Sequence, residues 1–196
     1  MKFDLSEKGK VKVDMIDYMA AMVNDFSTKF KPDDTAPNPA AENVFTECTA
    51  DDLDTQQAVE YHTFVAKGLF DCKIDSPYIE PIIVALCTCI KNPNQNDWHK
   101  LHWLIQYING SRNDKLILSD NELHVIKCYM DTAFTVHPDF KSHASCVMTQ
   151  RTVMPITFYR KQKLNTLVSM ESELVGADDV STMILWTKLF MESQGY

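Results

Sequence analysis

The chain has 196 residues, of which 45% are hydrophobic, and a formal net charge of -8, so it can bury a core as one domain or as two small ones. Its longest apolar runs are too short to cross a membrane, and its first residues lack the apolar segment of a secretory signal. These features predict an intracellular protein without membrane partners.

Six cysteines raise the question of a disulfide framework: Cys48, Cys72, Cys87, Cys89, Cys128 and Cys146. The last four lie within apolar runs, and no CxxC pair with zinc spacing occurs. Because free cysteine is among the most buried residue types, we expect reduced core thiols.

The N-terminal region predicts a hairpin followed by a helix and a loop. Weak alternation over residues 1–13, around Lys8 and Gly9, favours a short β-hairpin. Apolar residues at spacings of three and four then predict a helix over residues 14–30, with Asp14 near its start. The following KPDDTAPNPAAEN contains three prolines and predicts a loop.

Three further helices are predicted between residues 55 and 110. The first covers residues 55–72, and the second covers 77–90, where Pro81 suits a first turn. The third is capped by Asn96 or Asp97, and Gly110 suits its C-terminal stop. Together these segments predict a small helical layer.

Beyond Arg112 the periodicity changes from helical to extended. Short segments rich in β-branched and aromatic residues predict an antiparallel meander at residues 116–118, 123–130, 145–148 and 153–159. Two helices follow. The apolar face of the first consists of Leu167, Met170, Leu174 and Ala177, and the second spans residues 183–190. The overall pattern predicts an α+β fold.

Charge is unevenly distributed along the chain. Residues 1–122 carry 12 basic and 20 acidic side chains, whereas residues 123–196 carry seven of each. The basic stretch, residues 141–163, has no acidic residue and contains Lys141, Arg151, Arg160, Lys161 and Lys163. Such a cluster can contact phosphates even on an acidic protein, because counterion release depends on local contacts. A solvated face without a ligand is the alternative.

Common enzyme motifs are missing from the sequence: there is no GxGxxG, phosphate-binding P-loop, HExxH or GxSxG. The acidic pairs at 33–34, 51–52 and 178–179 fit solvated turns or helix ends. His137 and His143, six residues apart in a polar loop, either bind a metal or a phosphate or lie at the surface as ordinary side chains.

Asp131, at the end of a predicted strand, is the remaining candidate. Strand alternation places it on the same face as Lys127 and Tyr129, and a helix packed on that face could bring a second carboxylate to it. Glu171 and Glu173 are both available, but two residues on a helix differ by about 200°, so only one can face the site. Periodicity does not choose between them.

Four long segments carry a more specific pattern: DWHKLHWLIQYINGSRND, VIKCYMDTAFTVHPDFKSHASCVMT, YRKQKLNTLVSMESELVGADD and ILWTKLFMESQGY. Together they resemble the copia-type LTR-retrotransposon Pol polyprotein, at the end of reverse transcriptase, the connection segment and the start of the RNase H domain. The resemblance implies a helical connection-like unit at residues 1–112 and a truncated RNase H-like unit at 113–196, with a three-stranded antiparallel meander plus two helices.

Carried over residue by residue, the resemblance makes Asp131 the first metal-binding aspartate of RNase H and Glu173 its helical glutamate. RNase H chemistry uses two Mg²⁺ ions to hydrolyse RNA that is paired with DNA. The resemblance also implies contacts to the RNA/DNA hybrid from Ser142, His143, Arg160, Lys161 and Lys163.

The family's third and fourth aspartates fall beyond Tyr196, so the resemblance implies only two of four carboxylates in these 196 residues. We therefore expect weak or no Mg²⁺ binding and little or no cleavage. The sheet edge left open would favour self-association. The alternative function is a non-catalytic nucleic-acid-binding or assembly module that uses the basic stretch.

Overall fold

The computed structural model describes residues 1–40, 44–45, 50–119, 125–150 and 153–195. In these ranges five α-helices and two three-stranded antiparallel sheets form the predicted α+β fold. The helices are α1 Ile16–Asp25, α2 Thr55–Cys72, α3 Glu80–Thr88, α4 Gln95–Ser111 and α5 Ser169–Ser193. The strands are β1 Lys2–Asp4, β2 Lys10–Asp14, β3 Leu116–Ser119, β4 Ile126–Ala133, β5 His143–Gln150 and β6 Val153–Lys161.

The chain divides into two compact units. The first comprises residues 1–6 and 11–117, and the second comprises 7–10 and 118–196. No helix in the described ranges has both the length and the apolar character that a membrane span requires.

The predicted hairpin is present as β1 and β2, and Gly9 adopts a φ of 77° in the turn between them. The helix that follows ends at Asp25, five residues earlier than predicted, because Phe26 is already extended. Phe26 nevertheless packs its fully buried ring against Phe64 at 4.9 Å and Trp98 at 5.3 Å. The helical spacing of apolar residues continued past the end of the helix because Phe26 still packs into the same core.

The first unit is held by one apolar core between α1, α2, α3 and α4. Tyr61 lies at its centre, and its hydroxyl donates to the Leu86 carbonyl at 2.9 Å, so the buried polar group is satisfied. The largest fully buried side chains are Tyr61, Phe26, Met15, Met19, Met22, Ile79, Ile82, Ile83, Leu86, Leu101, Leu104 and Ile105. Burying each large apolar side chain contributes roughly 1.5–3 kcal/mol before entropy is counted.

Helix boundaries in this unit follow their caps. α2 has the predicted bounds, with Asp54 accepting from the Gln57 amide at 2.7 Å. α4 begins earlier than predicted, because Asn94 and Asp97 form a reciprocal capping box. Gly110 is not a C-terminal stop; it lies inside α4, where a Cβ would be 3.1 Å from the Thr35 side chain.

The segment at 77–90 is a short 3-10 helix, Pro77–Ile79, that leads into α3. Pro81 lies in the first turn of α3, as predicted. The next predicted strand, β3, joins β1 and β2 in the first sheet and not the meander. Its pairing partner is distant in the chain, so local pattern could not identify it.

The meander itself is β4–β5–β6, with β4 antiparallel to β5 and β5 antiparallel to β6. Thr132 pairs with Ala144, and Ala144 pairs with Arg160, so these three side chains share one face of the sheet. Asp131 pairs with Ser145 and therefore belongs to the other face. Residues 123 and 124, the first two of the predicted 123–130 strand, lie outside the described residues.

The two predicted C-terminal helices are one continuous helix, α5. No proline interrupts it, and Gly176 remains helical. The predicted apolar face is wrong, since Leu167 is 87%, Met170 74% and Leu174 66% exposed. The buried face consists of Ser172, Gly176 and Val180. Small residues at a spacing of four form this face because they let the helix backbone lie close to the sheet.

Candidate carboxylate site

Helix α5 packs on the Thr132 face of the sheet. A Cβ added at Gly176 would lie 2.7 Å from Thr132 Oγ1, which is closer than real Cβ atoms approach. Gln162, which follows β6, donates from Nε2 to the Ser172 carbonyl at 2.8 Å and is itself buried. These two contacts fix the first turns of α5 over β4 and the end of β6.

Asp131 lies on the uncovered face of β4. Asp131 is exposed, and so are Lys127, Tyr129 and Ala133 on the same side of the strand. Among the described residues, α5 does not pack on the Asp131 face that could have received a helix, because it lies on the opposite, Thr132 face. β4 is an edge strand of the described sheet, so Asp131 and a carboxylate of α5 can meet only around this edge.

The two glutamates of α5 differ in position. Glu171 Oε2 accepts a hydrogen bond from the Leu167 amide at 2.8 Å, so its carboxylate binds the backbone at the exposed start of the helix. Glu173 is half-buried and lies about 60° from the direction defined by Ser172, Gly176 and Val180, whereas Glu171 lies about 140° from it. The geometry therefore favours Glu173 as the sheet-side carboxylate.

The donor set at this edge is small. Within the described ranges, no group of three or more His, Cys, Asp or Glu side chains lies close enough to hold a metal ion. Mg²⁺ prefers octahedral oxygen coordination with one or two carboxylates and several waters. Asp131 and Glu173 alone do not fit the two-ion centre that the resemblance implies.

The two histidines of the β4–β5 connection contact each other. His137 Nε2 lies 3.0 Å from His143 Nδ1, and each residue is only 5% exposed, so the surface alternative is wrong. Burial lowers the pKa of both imidazoles, that of His143 to about 4, and Lys161 lowers the pKa of His137 further. Both rings are neutral at pH 7, and the two bonded nitrogens face each other instead of a common metal.

Ser142 shapes the same connection. It is fully buried, and its Oγ accepts from the Thr135 amide at 3.2 Å, where Thr135 has a left-handed φ of 51°. The Ser142 carbonyl accepts from the Gln162 amide at 2.9 Å. These bonds hold the turn together, so a contact between the Ser142 hydroxyl and nucleic acid would require the hydroxyl to give up its bond to Thr135.

The basic stretch is neutralised in part by acids from outside it. Arg160 pairs with Asp179 of α5 at 3.5 Å, and Lys161 pairs with Asp139 at 2.9 Å. Lys141 lies 3.7 Å from the same Asp139. Arg151 lies outside the described residues, and Lys163 is exposed. The stretch is therefore not a uniformly positive surface, although its linear sequence contains no acid.

Sequence reasoning missed a buried carboxyl group in the first unit. Asp71 is fully buried in α2, and neither of its oxygens has a hydrogen bond of normal geometry among the described residues. Burial raises the pKa of Asp71 to about 6; Asp75 adds to this rise and Ser76 opposes it. Helical spacing places residue 71 with Phe64 and Gly68 on the core side, which is the signal that was available.

A comparison with known proteins gives evidence on the origin of this chain. The retrovirus-related Pol polyprotein from transposon TNT 1-94 of Nicotiana tabacum is 20% identical to this chain over 148 residues. The match covers 75% of this chain and 11% of that polyprotein, so the chain spans about a tenth of the relative's length. No family model matches the chain, and no solved structure matches it closely. The similarity supports the origin of this chain in a retrotransposon Pol polyprotein.

Proposed function

We propose that the second unit is the first part of a copia-type RNase H domain and that the first unit belongs to the preceding connection region. The proposal rests on one observation, the close packing of α5 on β4 at Gly176 and Thr132. With this packing, Glu173, one turn before Gly176, would lie beside the strand that carries Asp131. The ancestral reaction is hydrolysis of the RNA strand in an RNA/DNA hybrid.

The site would lie at the free edge of β4, since Asp131 and Glu173 belong to opposite sides of the sheet. A further strand along this edge would bring additional groups between them, and the resemblance implies such groups later in the polyprotein. With two carboxylates alone, much of the charge of two Mg²⁺ ions is uncompensated. We expect these 196 residues to bind Mg²⁺ weakly and to cleave hybrid little or not at all.

The location of the site can be tested without activity, by paramagnetic broadening of amide NMR signals with Mn²⁺ as the probe. We expect the signals around Asp131 and Glu173 to broaden first. Glu173→Gln and Asp131→Asn should each reduce this broadening, whereas the matched control Glu171→Gln should leave it unchanged. Broadening centred elsewhere, or equal sensitivity to Glu171→Gln, would refute the assignment.

Catalysis is tested with a labelled RNA/DNA hybrid in the presence of Mg²⁺. We expect no degradation of the RNA strand above the level seen with Asp131→Asn. Clear Mg²⁺-dependent degradation that Asp131→Asn abolishes would show that the two carboxylates suffice, and the proposal of an incomplete site would be wrong.

Binding of the hybrid without catalysis is the second proposal, through the basic stretch. The ion pairs of Arg160 and Lys161 weaken the support for hybrid binding, because Asp179 and Asp139 already neutralise these two charges. Any hybrid binding should fall steeply with salt and be lost when Arg160, Lys161 and Lys163 are neutralised. Self-association through the β4 edge is a separate proposal, which sedimentation over a range of protein concentrations would test.

A further inference from the structure

A groove of about 540 Å³ lies between β6 and the middle of α5, away from the β4 edge. Its lining residues are Phe158, Arg160, Asp178, Asp179, Thr182, Met183 and Trp186. All of them belong to the second unit. The volume lies in the range of small-ligand sites, and the walls combine apolar rings with carboxylates.

The groove already holds a guanidinium of the chain itself. The Arg160 Cζ lies 5.5 Å from the centre of the Phe158 ring, and its Nη1 lies 3.5 Å from Asp179 Oδ1. A planar cation is thus placed between an aromatic ring and a carboxylate, the arrangement that favours arginine over lysine.

Two other lining residues, Trp186 and Asp178, offer the same two chemical groups, an aromatic ring and a carboxylate, without a cation between them. Trp186 is 60% exposed, and its indole stacks on Phe190 at 5.4 Å with the rings 9° from parallel. Asp178 is exposed, and its carboxylate makes no hydrogen bond or ion pair within the described part of the chain. The groove as a whole carries two carboxylates against one guanidinium, so it attracts cations and repels phosphate.

Helical geometry sets the span between these two groups. Asp178, Thr182 and Trp186 follow one another at a spacing of four, so their Cα atoms extend over about 12 Å of α5. Asp178 and Trp186 both line the groove, so a group bound in it can contact both side chains. A span of this length suits an extended side chain that ends in a planar cation.

We propose that this groove binds an arginine side chain of a partner peptide, with the guanidinium between Trp186 and Asp178. Apolar neighbours of that arginine would cover Met183 and the exposed ring of Phe190. The proposal uses none of the residues assigned to the metal or hybrid sites except Arg160, which keeps its own ion pair. It does not depend on the proposed function.

The test uses the full chain and a blocked pentapeptide, acetyl-Gly-Leu-Arg-Leu-Gly-amide, with the indole N–H signals of the tryptophans observed by NMR. Trp186→Phe assigns the signal of Trp186. We expect the peptide to shift this signal saturably, and the peptide with citrulline in place of arginine, which has the same shape without charge, to bind at least about tenfold more weakly.

Variants then separate the charge from the ring. Asp178→Asn should weaken the binding of the arginine peptide about fivefold. Glu171→Gln, which removes a carboxylate of the same helix outside the groove, should leave the affinity unchanged. Trp186→Ala should abolish the shifts that the peptide causes in the amide signals of Thr182 and Met183, while the amide signals of β4 and β5 remain those of the folded protein. Equal binding of the citrulline peptide, an unchanged affinity in Asp178→Asn, or no shift of the Trp186 signal would each overturn the proposal.

Discussion

Gly176 on α5 lies directly over Thr132 on β4, at a distance that leaves no room for a side chain on the helix. Replacement of Gly176 by alanine normally favours a helix by about 1 kcal/mol. Here we expect Gly176→Ala to destabilise the second unit by about 1–3 kcal/mol, because the new methyl group meets a β-branched side chain that cannot turn away. Hydrogen exchange of the β4 and β5 amides would measure the change.

The matched control is Thr132→Ala, which removes the obstructing hydroxyl and methyl groups. Thr132 Oγ1 is buried and has no partner among the described residues. Thr132→Ala alone should therefore lower the free energy of unfolding only slightly. In the Thr132→Ala background, Gly176→Ala should lose most of its penalty. A penalty of the same size in both backgrounds would show that the two residues are not coupled.

The same contact explains where sequence reasoning succeeded and where it failed. α2 was predictable because its cap, Asp54, and its apolar spacing are local signals. The buried face of α5 was not, because its small residues, such as Gly176, are selected by close approach to a sheet and carry little hydrophobic signal. The large apolar side chains, such as Met170 and Leu174, gave the stronger pattern but are exposed.

The carboxylates show a similar limit. Alternation along β4 correctly separates Asp131 from Thr132, but it cannot say which face the helix covers. The ion pairs of the basic stretch were also hidden, because Asp139 and Asp179 lie outside the stretch in sequence and meet it only in the fold. Non-local pairing decided each of these outcomes.

Asp71 gives the first unit an unusual dependence on pH. Its pKa is raised to about 6 in the folded state, so the folded protein holds a proton that the unfolded chain releases near pH 3.8. The free energy of unfolding should therefore fall as the pH rises from about 4 through 6. Asp71→Asn, which keeps the shape without the charge, should stabilise this unit at pH 7 by roughly 1–3 kcal/mol. Hydrogen exchange of α2 amides at several pH values would detect both effects; an unchanged pH profile in the variant would contradict them.

The histidine pair gives the second unit the opposite dependence. The pKa of His143 falls from 6.5 to about 4 on burial, so the unfolded chain binds a proton more readily than the folded one. The free energy of unfolding of this unit should therefore fall as the pH drops from about 6.5 through 4. Imidazole carbon shifts followed by NMR titration would report the folded pKa directly. His143→Gln should remove most of the acid sensitivity, and a His143 pKa near 6.5 would refute the argument.

Cys128 and Cys146 are free thiols on adjacent strands, with their sulfur atoms 2.8 Å apart. Their residues are diagonal neighbours on the face under α5, so one bond could join β4 to β5. We expect hydrogen peroxide to convert the two thiols and one peroxide molecule into one disulfide and two waters. Burial and the neighbouring thiol raise the pKa of Cys146 to about 12, so the reaction should be slow at pH 7 and faster in alkali.

Mass spectrometry of tryptic peptides would identify the bond as a linked pair that is two hydrogens lighter than the separate peptides. Cys128→Ser and Cys146→Ser should each prevent it, while Cys87→Ser, which removes a half-buried thiol of α3, should not. A disulfide that persists in Cys146→Ser would show that Cys128 reacts with a different partner. The bond would tie together the two strands that carry Asp131 and Ser145, so the oxidised protein should protect the β4 amides from exchange more strongly than the reduced one.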